Sequence, residues 1–221
     1  MSVNTVAASA ANLVIAAIVI FGAWMMMTGA SFSGARDQEL ADTGLKALKF
    51  YTVESNLLVG LGALLLGVFS LCGLSGAWLR AAQLIKYLGT ITVVITFLVT
   101  AVHLAPHAKH GFWSLYADGN LFFHLIVPVL SVLTLVLLDR PVFPFYTTFI
   151  GIIPTLLYAI AYLVNVLAHL ENGKVLPKYD WYNFFFAGLN SIWIVLTGML
   201  LLAWLIGLGL WFGCGGSGNI S

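Results

Sequence analysis

Six long apolar runs, with nearly all the charge confined between them, constrain this chain more than any other feature. They cover about 10–28, 50–73, 85–104, 120–138, 147–168 and 183–212. A helix needs roughly 20 apolar residues to cross a bilayer, and each run is near or above that length. The expected fold is therefore all-α: one polytopic membrane domain, residues 1–221, built as a six-transmembrane-helix bundle. Composition agrees, with 61% of the 221 residues apolar and 8% charged. Soluble domains carry about 25% charged residues, so a soluble globular protein is excluded. Six spans leave about 100 residues for loops and tails, too few for a sizeable soluble domain.

A net charge of +1 gives no reason to expect a nucleic-acid partner, which a basic surface would announce. The two cysteines, Cys72 and Cys214, have no metal-like spacing and imply no disulfide framework. The first run lacks the basic flank of a signal peptide, so it reads as a retained span. Glu54 sits inside a run; Lys86, at the very edge of the third run, is assigned to the second loop and Asp139 to the fourth. In the first loop, Asp42 and Lys46 are four apart, which predicts a short interfacial helix. The odd loops hold six Lys and Arg and the even loops three. By the positive-inside rule the odd loops face the cytoplasm.

Polar residues inside the spans carry the functional information, because polar groups are costly in a bilayer. Helical spacing puts Thr92, Thr96, Thr100, His103 and His107 on one face of span 3. It does the same for Asn120, His124, Pro128 and Ser131 in span 4, and for Tyr158, Tyr162, Asn165 and His169 in span 5. Span 6 contributes Asn183, Asn190 and Thr197. Span 2 opens with Thr52, Ser55 and Asn56, with Glu54 turned away. Taken singly, each Thr or Ser is more often a packing residue bonded to its own helix; the two histidines are harder to explain that way. Topology brings Thr52, Asn56, His103, Asn120, His124, His169 and Asn183 to one membrane face, and nothing comparable is expected on the other. Pro128 removes the donor for the carbonyl of residue 124, so a kink is expected at His124.

A hydroxyl beside an imidazole suits acyl transfer. Threonine becomes a nucleophile when a base takes its proton, and histidine is the usual base. The expected pair is Thr52 as nucleophile and His124 as general base, with Asn56 and Asn183 as oxyanion donors. Two other readings stay open. His103 and His107 are spaced for a metal, with His110, His124 and Asp118 as further ligands. Polar stripes on spans 3 and 5 also suit a transporter or a lipid-binding protein.

Three segments carry a resemblance: Phe50-Tyr51-Thr52-Val53-Glu54-Ser55-Asn56-Leu57-Leu58, Asn120-Leu121-Phe122-Phe123-His124-Leu125-Ile126-Val127-Pro128, and Tyr179-Asp180-Trp181-Tyr182-Asn183-Phe184. With six spans, they resemble the androgen-induced and androgen-dependent TFPI-regulating protein family, and more closely its bacterial six-span relatives. The third segment departs from the family in lacking a Tyr-Pro-Phe. The resemblance implies a threonine hydrolase that cleaves fatty acid esters of hydroxy fatty acids without a cofactor, with the nucleophile at Thr52 and the essential histidine at His124. Ser55, Asn56, His103, Asn120, Ser131, Tyr158, Tyr162, Asn165, Trp181, Asn183 and Asn190 would line or orient the site. The expected partners are membrane lipids and a long-chain lipid ester, in a bacterial inner membrane or its equivalent.

Overall fold

A computed structural model of the chain describes residues 3–32 and 42–216. Among them, six helices are long and apolar enough to cross a membrane: α1 (Val3–Thr28), α2 (Tyr51–Leu71), α3 (Ala77–His107), α4 (Gly119–Asp139), α5 (Thr147–Ala168) and α6 (Ser191–Gly213). The one β pairing among the described residues is an isolated bridge between Glu171 and Lys174. The protein is thus an all-α, six-span bundle. Trp193, Ile194, Leu201 and Leu205 stand on the outside of α6, where lipid rather than water suits them.

Glycine sets the closeness of the first four helices. A Cβ on Gly62 would lie 2.4 Å from the backbone nitrogen of Lys86, and one on Gly89 would lie 2.5 Å from the Cα of Val59. Only residues without side chains let the α2 and α3 backbones meet at that distance. Gly60 receives Val19 of α1, and Gly22 of α1 receives the Phe123 ring of α4.

Three boundaries differ from the sequence reading. The helix α3 starts at Ala77, so Lys86 is not a loop charge; it lies within the span, fully buried. The helix α6 starts at Ser191, because residues 183–190, although apolar, fold as turns. Asn183 takes φ 55° and Gly188 φ 79°. The Asp180 carboxylate accepts the N–H groups of Phe184 and Phe185, and the Ser191 hydroxyl donates to the carbonyls of Phe184 and Gly188. These bonds satisfy backbone groups that a helix would have paired internally. Before α2, a 3-10 turn over Gly44–Lys49 stands where the interfacial helix was expected, and Asp42 pairs with Lys49 rather than Lys46. Residues 33–41 of that expected helix lie outside the described residues.

The helices α3 and α4 are interrupted by π turns at Thr100–Leu104, Phe122–Ile126 and Leu135–Asp139. Each is followed two residues later by a proline: Pro106, Pro128 or Pro141. The cause is common to all three. The residue after each turn donates its N–H to the first carbonyl of the turn: Ala105 to Thr100, Val127 to Phe122 and Arg140 to Leu135. The second carbonyl has thereby lost its α-helical donor, and its π-helical donor would be the proline, which has no N–H. At His124 the π turn thus leaves the Phe123 carbonyl without a helical donor, beside that of His124, whose i+4 residue is Pro128.

The far face is not free of polar groups, contrary to expectation. Lys86 pairs with Asp139 and also donates to Thr134 Oγ1 at 2.8 Å, and Asn12 Nδ2 donates to Asp139 Oδ1 at 2.8 Å. Asn12, Lys86 and Thr134 are buried and the Asp139 side chain is 3% exposed, so the cluster joins α1, α3 and α4. Charges in this setting persist when paired and hydrogen-bonded.

Candidate active site

Thr52 is the second residue of α2 and half-buried, while His124 lies in the second π turn, 5% exposed. The two come together: Thr52 Oγ1 is 3.4 Å from His124 Nε2, at the outer edge of hydrogen-bond range. The other ring nitrogen, Nδ1, is 2.6 Å from the carbonyl oxygen of Leu115. A carbonyl only accepts, so Nδ1 carries the proton and Nε2 turns its lone pair to Thr52. A general base needs this tautomer. Leu115 is fixed by a 3-10 turn, Phe112–Tyr116, between α3 and α4, and is itself buried. The Tyr116 ring meets the imidazole edge-on, with centroids 6.2 Å apart.

Asn56 joins the two helices. Its Nδ2 donates to the Thr52 carbonyl at 2.7 Å and to the Phe123 carbonyl at 3.2 Å. The second bond goes to the carbonyl left without a donor by the π turn and Pro128. With both amide hydrogens engaged by carbonyls, Asn56 is not the oxyanion donor expected of it. Its Oδ1, buried and without a hydrogen-bond partner, is an acceptor only. Ser55 lies beside it, donating to the Thr52 carbonyl and sharing a hydrogen bond with Thr96 of α3, both at 3.0 Å. Asn120 is buried and lines the cleft with His124.

Two narrow clefts meet at Thr52. One runs along Ile95, Thr96, Val99, Tyr158, Phe184 and Met199; the other runs past Met26, Phe50, Asn120 and His124. Thr52, Leu104 and Tyr182 line both. Beyond Leu104 and Tyr182, a cavity of about 820 Å³ opens on the side of the α3 end, with His103, His107, Trp181 and Asn183 in its wall.

Tyr182 is the residue that sequence reasoning missed. It is buried, and its hydroxyl oxygen accepts the N–H of Tyr51, the first residue of α2, at 2.9 Å. Burial, above all, pushes its phenol up to about 12, although contacts with Tyr158 and with the backbone and side chain of Thr52 pull the other way. The phenol is therefore neutral at ordinary pH and retains an O–H beside the threonine. A signal existed: α2 begins with N–H groups that no residue of the helix can satisfy, and the aromatic tract is one place to look for their acceptor.

Other expected residues are dispersed. Tyr158 lines the cleft and donates to the Lys49 carbonyl at 2.7 Å. Tyr162 donates to Asp180 and packs on Trp181, Tyr182, Phe184 and Phe185. It supports the wall without lining the clefts at Thr52, and Trp181 faces the outer cavity and Phe50. His103 is exposed and lines the outer cavity rather than the cleft at His124. Asn183 and Asn190 are exposed because α6 starts after them, and Thr197 is exposed on α6; the predicted interior stripe on span 6 is overturned. Ser131 and Asn165 lie outside both clefts; Ser131 Oγ and Asn165 Nδ2 are buried without a hydrogen-bond partner.

The suggested metal ligands do not converge. The rings of His103 and His107 are 5.8 Å apart, and His107 Nδ1 donates to the His103 carbonyl. Asp118 accepts the Ser31 hydroxyl and the Phe32 N–H. Among the described residues, no three His, Cys, Asp or Glu side chains gather as a metal site.

Fold and site together define a multi-pass all-α membrane protein with a threonine–histidine pair at one end of its bundle. No family model, curated protein or solved structure matches the chain.

Proposed function

We propose that the chain is an intramembrane threonine hydrolase acting on a long-chain lipid ester. The observation that carries this reading is the orientation of His124: Nδ1–H is committed to the Leu115 carbonyl, and the free lone pair of Nε2 faces Thr52 at 3.4 Å. Thr52 Oγ attacks the ester carbonyl carbon while His124 takes the hydroxyl proton. The carbonyl oxygen becomes an oxyanion, for which the neutral phenol of Tyr182, in the wall of both clefts with Thr52, serves as donor. Collapse of the tetrahedral intermediate breaks the bond to the alcohol, which leaves with the proton from His124. Water, deprotonated by His124, then attacks the acyl-Thr52 ester; the acid departs and Thr52 regains its proton. The resemblance to ester-cleaving threonine hydrolases supports the same pair. The excess of Lys and Arg in the odd loops supports the cytoplasmic leaflet as the side of this chemistry.

Labelling of the purified protein by a fluorophosphonate probe tests the reading. Labelling and ester hydrolysis are expected in the native chain and absent in Thr52→Ala. His124→Ala is expected to lower hydrolysis by about 10²–10⁴-fold with the fold intact. Labelling that survives Thr52→Ala would refute the nucleophile.

One observation favours a second reading, transport. The buried Lys86–Asp139 pair gives the far face a polar group of its own. Substrate flux in liposomes, unaffected by Thr52→Ala, would select it.

A further inference from the structure

The inner cleft beside Thr52 does not end inside the bundle. Val99, Phe184 and Met199 form its far wall, and the same three residues form the inner wall of a second cleft, of about 180 Å³, between α3 and α6. Val195, Phe186, His103 and Asn183 complete this outer cleft. Its lining is mostly apolar, with His103 and Asn183 as its polar members. Two of its walls belong to membrane spans: Val99 and His103 are one turn apart on α3, and Val195 and Met199 one turn apart on α6.

The register of α2 against α3 gives the clefts a direction. Ser55, three residues inward of Thr52, shares its hydrogen bond with Thr96, three residues inward of Val99, so Val99 stands level with Thr52. Val99 is eight residues before the end of α3, and Met199 eight residues after the start of α6. At 1.5 Å per residue both lie about 12 Å inside those helix ends. The two clefts together therefore run sideways from the threonine, between α3 and α6, toward the hydrocarbon layer. A lipid ester entering along them brings its carbonyl to Thr52 from the side.

We propose that the acyl chain of the substrate reaches Thr52 sideways from the bilayer, between α3 and α6, with Met199 as the gate between the outer and inner clefts. The proposal rests on the hydrolase reading and adds the route and the specificity-determining residue. Methionine suits a gate, because its unbranched side chain rotates about three bonds and repacks at little cost. Phe184 is the fixed side of the opening, since Asp180 holds its backbone N–H at 2.8 Å. Water enters through the open cavity beyond Leu104 and Tyr182, which shares His103, Asn183 and Phe186 with the outer cleft. The tail thus stays in lipid while the reacting ester meets water.

The test compares p-nitrophenyl palmitate with p-nitrophenyl butyrate on the full chain in mixed micelles. The readout is the palmitate-to-butyrate ratio of kcat/KM. Met199→Trp fills the gate and is expected to lower the ratio at least tenfold, through KM for the long ester. Met199→Ala widens it and is expected to raise the ratio. Leu205→Trp, on the lipid-facing side of α6 away from both clefts, controls for a bulky residue on that helix. If Met199→Trp does not fold, Val195→Phe in the outer cleft carries the same expectation. A ratio within twofold of the native value in both the filling and widening variants overturns the portal, and a lipid merely resting in the outer cleft would give that result. Hydrolysis of both esters undiminished by Thr52→Ala would instead remove the hydrolase reading itself, so the two failures are distinguishable.

Discussion

Replacing Asn56 with leucine should damage the protein through a carbonyl on another helix. Asn56 Nδ2 donates to the Phe123 carbonyl, which has lost its α-helical donor to the π turn and its alternative donor to Pro128. Leucine has a similar volume but no amide, so the substitution strands that carbonyl in the interior. An unsatisfied buried carbonyl costs about 1–3 kcal/mol. The Thr52 carbonyl loses its contact too, but remains bonded to the Ser55 hydroxyl. Most of the loss is therefore assigned to the link to α4. Pro128→Ala in the same chain restores an N–H within reach of that carbonyl. The double variant should then lose less than the sum of the two single effects, with a coupling of about 1 kcal/mol. Reversible unfolding of purified protein in mixed micelles, followed by tryptophan fluorescence, measures all four corners of the cycle. Additive losses, within about 0.3 kcal/mol, would refute the argument that proline and π turn together leave Phe123 dependent on Asn56. Activity supplies a second measure. A shift of about 1 Å between nucleophile and base costs on the order of 10²-fold, so Asn56→Leu should reduce kcat even in the folded fraction, and Pro128→Ala should return part of it.

Tyr182→Phe should lower ester hydrolysis by about 10²-fold, the effect of losing one oxyanion donor, while leaving fluorophosphonate labelling detectable; unchanged kcat would remove the phenol from the mechanism. The same variant tests the titration of this group. An unfolded tyrosine ionises near pH 10 and the buried Tyr182 near 12, so the folded state holds its proton longer, and the stability it adds below pH 10 is lost as pH rises to 12. Thermal melts should show a steeper alkaline decline in the native chain than in Tyr182→Phe. Lys86→Met leaves Asp139 buried without its cation and should cost about 3–5 kcal/mol, whereas Lys86→Met with Asp139→Leu should recover most of that loss; equal destabilisation in both would count against a paired charge. Gly62→Ala, whose methyl group would meet the Lys86 backbone at 2.4 Å, should cost about 1–3 kcal/mol. Gly198→Ala, with nothing within 4 Å, should be neutral or mildly stabilising in the same unfolding assay.

The six spans and the Thr52–His124 pair could be read from sequence because both follow from periodicity. Long apolar runs determine the number of crossings, and chain order determines which helix ends share a face. The errors arise where a local tertiary feature overrides hydrophobic length. Residues 183–190 look like helix by composition, but the Asp180 carboxylate and Ser191 hydroxyl bond their backbone groups into turns, which removes Asn183 and Asn190 from the interior. Lys86 reads as a loop charge because most charges of the chain bound its apolar runs; its partner, Asp139, is 53 residues away in sequence. Tyr182 is hidden in the sequence because aromatic residues near a membrane boundary are usually anchors. The π turns leave a trace in the proline positions, but recognising it requires knowing that a π turn and a proline two residues later both take donors from one carbonyl.

The bundle divides into a part that must hold still and a part free to open. His124 faces Thr52 only while α2 and α4 keep their spacing. That spacing depends on the glycine contacts of α2 with α1 and α3, on the Phe123 ring seated against Gly22, and on Asn56 bridging Thr52 and Phe123. Half of the apolar window of α2, and half of that of α3, is buried, against 22% for α6. Few neighbours hold α6 over its length, and local opening is cheapest where buried contacts are fewest. A route for a lipid tail along α6 therefore disturbs the catalytic geometry least: Val195 and Met199 can move while Thr52, His124 and the Leu115 carbonyl stay in place. A route between α1 and α2, or between α2 and α3, would separate helices that pack glycine to side chain or glycine to backbone, and would move Thr52 itself. On the proposed hydrolase reading, the same helix packing that aligns Thr52 with His124 favours substrate entry on the side of the bundle occupied by α6.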